Sequence, residues 1–129
     1  MIFIDGTFIT SPRNFYQILN IVGYLEQNDL FIPIFTALLT SKTEKIYNYT
    51  LIEFRKLIKT LNIPIKFEKI KFMADFEDKL REAIKKNFLD SEILGCYFNF
   101  IKNLYNKLKL LGLTTKKNIR SSLKFLFFF

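Results

Sequence analysis

Ile2-Phe3-Ile4-Asp5-Gly6-Thr7-Phe8 stands at the start of the 129-residue chain as a short β-branched and aromatic run. Such a run reads as a strand buried on both faces, and a turn at Pro12 ends it. A carboxylate inside it is costly unless paired, hydrogen-bonded or bound to metal. Asp5 therefore has two readings: a strand-end carboxylate capping the Gly6-Thr7 turn, or a functional acid.

The segments that follow supply partners for this strand. Phe15 to Glu26 is strand-like, Gln27-Asn28-Asp29 is a polar turn, and Leu30 to Leu39 reads as the hairpin partner. Pro33 places that partner at a sheet edge or on a bulge, because proline cannot donate to a ladder. The period then changes. Ser41-Lys42-Thr43-Glu44 fits a capping box, and Tyr47, Leu51, Phe54, Ile58 and Leu61 recur at helical spacing until Asn62 and Pro64. Glu68 to Ala74 reads as a strand, with Ile70, Phe72 and Ala74 on one side. Asp75 follows as a candidate cap for a helix through Phe76, Leu80, Ala83, Ile84 and Phe88. Glu92 to Phe98 is a further strand candidate. A last helix presents Ile101, Leu104, Tyr105, Leu108 and Leu111 on one face and stops near Gly112.

The order strand, strand, strand, helix, strand, helix, strand, helix predicts an α/β protein. Its mixed five-stranded sheet would begin as a three-strand meander, continue as alternating helices and strands, and carry helices on its faces. A strand with Asp, a hairpin, a helix and a second Asp at a strand end is the layout of the ribonuclease-H-like fold. Asp75 sits at the carboxyl end of its strand, the usual place for a site in such sheets. If the strands bearing Asp5 and Asp75 are neighbours, their carboxylates converge on one hard cation. Oxygen-only ligands favour Mg²⁺ or Mn²⁺ over zinc, and two such ions clamp the attacking and leaving oxygens of phosphodiester cleavage.

Composition narrows the chemistry further. There is no histidine, so neither a histidine base nor a His–Cys zinc site exists within the chain, and the one cysteine, Cys96, cannot form an intramolecular disulfide. The net charge of +8 is lopsided. Residues 1–92 hold 13 basic and all 12 acidic side chains, whereas residues 93–129 hold seven basic and no acidic ones. That end is either an ordinary solvated basic helix or a nucleic-acid-facing one. Tyr97, Phe98 and Tyr105 beside Lys102, Lys107 and Lys109 are likewise either a helix core face or a base-stacking surface. No apolar run reaches the roughly 20 residues a membrane helix needs, and no cationic leader precedes an apolar run. The expectation is a soluble, intracellular domain with no membrane partner.

Several motifs, in order, resemble the catalytic domain of Mutator-like element (MULE) DNA transposases. Ile4-Asp5-Gly6-Thr7-Phe8 resembles that family's first acidic motif, followed by Phe15-Tyr16-Gln17, Gly23-Tyr24, Phe31-Ile32-Pro33 and Ala37-Leu38-Leu39. Lys42-Thr43-Glu44 with Tyr47 resembles the opening of its first helix. Ala74-Asp75-Phe76-Glu77 with Ala83-Ile84 resembles its second acidic motif. Gly95-Cys96-Tyr97-Phe98-Asn99-Phe100 resembles the segment where the family normally shows Cys-x-x-His, with Asn99 in the histidine's place. On this basis residues 1–113 form the transposase core, incomplete at its C-terminal end, and residues 114–129 an irregular basic and apolar tail.

The resemblance implies an acidic triad that binds Mg²⁺ or Mn²⁺, nicks DNA at transposon ends and joins them to a target. Asp5 and Asp75 would be its first two acids, both catalytic and metal-binding, and Glu77 a first-turn carboxylate favoured by the helix dipole. DNA would be the partner, with room for a homo-oligomer, and the location nuclear, although no basic import cluster stands out. The family's third acid lies beyond the following helix, and no Asp or Glu follows Glu92. The expectation is thus a fragment or degenerate copy, an active enzyme whose reading frame continues past Phe129, or a co-opted non-catalytic module that binds DNA or protein. Cys96 is expected as a small buried strand residue rather than a ligand.

Overall fold

A computed structural model describes residues 1–7, 11–63, 67 and 70–112. The expected first strand, β1 (Ile2–Thr7), occupies the middle of a five-stranded sheet of order β3-β2-β1-β4-β5. On one side β2 (Gln17–Leu25) and β3 (Leu30–Leu39) form an antiparallel meander with it. On the other side β4 (Lys71–Ala74) and β5 (Glu92–Gly95) run parallel to it. Parallel neighbours need a crossover. The segment containing α1 (Glu44–Thr60) carries the chain from β3 to β4, and α2 (Asp78–Asn87) carries it from β4 to β5. The mixed sheet and its α/β class are those expected, and the arrangement is consistent with a ribonuclease-H-like one.

Strand alternation sorts the side chains. Ile2 and Ile4 of β1, Leu19 and Ile21 of β2, and Phe72 and Ala74 of β4 are all buried. They join Tyr47, Leu51, Phe54 and Ile58 of α1 and Leu80, Ala83 and Ile84 of α2 in a single core. Phe88, the C-cap of α2, closes it with its ring centroid 4.7 Å from that of Phe72. Pro33 meets both expectations: β3 is an edge strand, and the register shifts at Ile21/Val22, so that Val22 faces Pro33 and Ile34 is the extra residue of a bulge.

Local boundaries differ from the sequence reading in several places. The N-cap of α1 is Thr43, not Ser41: its backbone is extended and its hydroxyl accepts from the amide of Ile46 at 3.3 Å. Ser41 reaches only the Thr43 hydroxyl, and Glu44, already in the helix, pairs with Lys86 of α2. Leu61, expected on the apolar face, is the exposed C-cap of α1, and Asn62 ends the helix as expected by taking a left-handed φ of 51°. Asp75 does not cap α2; Glu77 is the N-cap, and Phe76 precedes the helix with a half-exposed ring. β5 stops at Gly95 rather than Phe98, and the aromatic run from Tyr97 is the first turn of α3 (Tyr97–Leu110). Aromatic residues suit either state, so that boundary is set by where β4 ends: the last ladder bond runs from the Cys96 amide to the Ala74 carbonyl. Phe8, Pro64, Glu68, Lys69 and the tail 114–129 lie outside the described residues.

The chain divides into two compact units, Met1–Cys96 and Tyr97–Phe129. Of the second, α3 is described. Ile101, Leu104 and Leu108 are its half-buried side, whereas Tyr105 and Leu111, expected on the same face, are exposed. The helix gives way near Gly112, whose φ of 70° suits a residue without a side chain. Among the described residues no helix is long and apolar enough to cross a membrane.

Candidate functional site

The parallel β1–β4 ladder decides where the two aspartates stand. Its last pair is Ile4 with Ala74, both sunk in the core beneath the helices. The next residue on each chain is an aspartate. Period-two alternation turns Asp5 to the opposite face. Asp75 lies immediately past the end of β4. Each of the two acids predicted from sequence thus directly follows a member of the last β1–β4 pair, Asp5 within β1 and Asp75 beyond the carboxyl end of β4.

Their surroundings are polar and open. Asp5 is exposed, faces Asn20 across the antiparallel ladder, and has no side-chain partner among the described residues. Asn20 in turn accepts from the Thr36 hydroxyl at 3.0 Å, so an Asp–Asn–Thr row crosses three strands. Asp75 is half-buried, and one of its oxygens accepts from the Phe76 amide at 2.7 Å, which fixes the carboxylate within its turn. An exposed carboxylate beside a half-buried one, with oxygen donors only, suits a hard divalent cation such as Mg²⁺ or Mn²⁺. Among the described residues no three acid or cysteine side chains are grouped to hold a metal.

Glu77 is placed differently from the first-turn role expected of it. Although it is the N-cap of α2, its carboxylate makes no capping bond. It turns toward α1 instead, where one oxygen accepts from the Tyr47 hydroxyl at 3.0 Å and the other lies 3.1 Å from the Lys42 ammonium. Tyr47 itself accepts from the Gln17 amide at 2.7 Å, and both residues are only 1% exposed. Burial holds the Tyr47 hydroxyl well above its ordinary pKa; the Gln17 donor pulls the other way, and the Glu77 charge adds to the rise. This Gln17–Tyr47–Glu77–Lys42 chain was not legible in the sequence. Tyr47 sits at a core position of the helical repeat, and nothing in its spacing marks the hydroxyl as bonded to a residue 30 positions on.

Around the turn, the Phe76 ring lies against Gly95, where an added Cβ would come within 2.3 Å of it. The Arg81 guanidinium sits over the Phe76 ring, 5.9 Å from its centroid. Cys96, expected as a buried strand residue, is a half-buried link just past β5. On α3, Asn99 is half-buried, and Tyr97, Phe98 and Tyr105 are exposed. A groove of about 240 Å³ on α1, lined by Ile52, Arg55, Lys56 and Lys59, carries none of the acids.

Sheet order and connections define an α/β domain consistent with a ribonuclease-H-like arrangement. The model of the MULE transposase domain family matches residues 1–103, and the chain belongs to that family. No curated protein matches it.

Proposed function

We propose that this domain performs the transposase chemistry of its family in part: Asp5 and Asp75 bind a divalent cation at a DNA strand, as the first two acids of a three-acid site. The observation that supports the reading is the parallel β1–β4 ladder, whose last pair, Ile4 with Ala74, is followed by Asp5 on one chain segment and by Asp75 on the other. A bound Mg²⁺ or Mn²⁺ would supply charge neutralisation at a phosphodiester and activation of an attacking hydroxyl or water. The chain's own contribution is to hold the two carboxylates, with Asp75 fixed by the Phe76 amide and Asp5 left accessible. With no Asp or Glu after Glu92, the third acid of the family's triad is not within these 129 residues. Metal binding without transposon-end joining is therefore the expected behaviour of this chain.

Titration with Mn²⁺, followed by calorimetry, tests this reading. The parent should bind weakly, and Asp5→Asn and Asp75→Asn should each weaken binding by about tenfold or more, on the scale of losing one of two charged ligands. Variants that bind like the parent would remove the shared site.

A second reading, a non-catalytic DNA- or protein-binding module, is favoured by one observation. Exposed Tyr97, Phe98 and Tyr105 share α3 with Lys102, Lys107 and Lys109, in a stretch without acidic residues. Salt-sensitive DNA binding that survives Asp5→Asn and Asp75→Asn would support it.

A further inference from the structure

We infer that Gln17, Tyr47, Lys42 and Glu77 form a strut from β2 and α1 to the β4–α2 turn that fixes the turn bearing Asp75 beside Asp5. The inference rests on the reading of Asp75 as a metal-facing acid. Three observations support it. First, the polar chain begins deep in the interior: Gln17 and Tyr47 are almost fully buried, and the Gln17 side-chain carbonyl has no partner among the described residues. Polar groups buried this deeply are retained at a cost in stability relative to well-packed apolar ones.

Second, Glu77 forgoes the capping bond that its place at the head of α2 offers and directs both oxygens to α1. Glutamate is not a preferred N-cap, whereas Asp, Asn, Ser and Thr are. Third, the turn and the head of α2 are joined by their own bonds: the Phe76 amide donates to the Asp75 carboxylate and the Arg81 amide to the Glu77 carbonyl. A single residue, Phe76, separates the anchored Glu77 from Asp75, too short a tether for the aspartate to move independently. Glu77 is thus a positioning residue, not a third ligand, in keeping with the absence of any three-acid group among the described residues.

The test uses the full chain with Tyr47→Phe, which keeps the ring, and Lys42→Met, which leaves the core untouched. Amide hydrogen exchange reads the turn directly and requires no metal. The Phe76 and Arg81 amides should exchange about tenfold faster in both variants, while those of Ile4 and Ile21 stay as in the parent. Unchanged exchange at Phe76 and Arg81 would overturn the strut. A parallel Mn²⁺ titration should show affinity lowered by up to about tenfold, the lower end for supporting-shell changes, and no further loss when either change is added to Asp75→Asn. Faster exchange with unaltered Mn²⁺ affinity would overturn the positioning of Asp75 while leaving the strut. A parent that fails to bind Mn²⁺ would refute the metal reading separately, through the titration alone.

Discussion

The two faces of the central strand differ by a single residue step and have opposite characters. Ile2 and Ile4 are 4% and 2% exposed and lie under α1 and α2 with Leu19, Ile21, Phe72 and Ala74. Asp5, one position further along, is exposed on the other face opposite Asn20. The core face is where the apolar stabilisation resides, and its residues are interchangeable with others of like volume. On the other face Phe3 packs its ring edge-on against Phe31, and Asp5 is the acid that the proposed site would use. A one-residue slip of β1 would exchange the two sets, so the register of the sheet decides which face carries Asp5.

Perturbing each face should produce effects of different size. Phe54→Ala, which empties the middle of the core, should lower unfolding free energy by about 3–5 kcal/mol in urea titrations. A loss below about 1 kcal/mol would mean that the helices do not pack on the sheet as described.

The buried polar chain should reveal itself through alkaline pH. The folded state keeps Tyr47 protonated beyond the pH at which an unfolded tyrosine ionises, because burial disfavours the phenolate. The stability this confers is intact below about pH 10 and is lost as pH rises through the folded value, at up to about 1.4 kcal/mol per pH unit. Urea midpoints between roughly pH 8 and pH 11 should therefore fall more steeply for the parent than for Tyr47→Phe. Parallel curves would show that the hydroxyl is not held in its buried setting.

Smaller effects belong to the periphery. Thr43→Ala removes the one side-chain bond to the free amides of α1 and should cost about 1 kcal/mol, whereas Ser41→Ala should be close to neutral. At the bottom of the scale, Asp5→Asn should change stability by no more than about 0.5 kcal/mol, as expected of an exposed side chain without a partner. A large loss there would place Asp5 among the structural residues and dissolve the contrast between the faces.

The sheet was legible because its signals are periodic and strong. Alternation in residues 2–7, the proline in an edge strand, and the three- and four-residue spacing of Tyr47, Leu51, Phe54 and Ile58 each reflect a side of an element that must be buried. Asp5 stands out in the sequence as an acid inside an apolar strand, and Asp75 as an acid where a strand gives way to a helix. Junctions were not legible. Thr43 rather than Ser41 caps α1, although both residue types suit an N-cap; Glu77 rather than Asp75 heads α2, its carboxylate held by Tyr47 and Lys42; and β5 yields to α3 at Tyr97, where its ladder with β4 ends. The Gln17–Tyr47–Glu77–Lys42 chain was hidden because its members come from β2, the start of α1 and the turn before α2.

The proposed sharing of one cation by Asp5 and Asp75 is tested directly by the amide spectrum of the labelled chain during addition of substoichiometric Mn²⁺, whose unpaired electrons broaden nearby signals. The amides of Asp5, Gly6, Asp75 and Phe76 should broaden together and first, while those of Leu57 and Leu30 remain sharp. Broadening of one acid without the other, or of neither, would contradict a site built by the β1–β4 register.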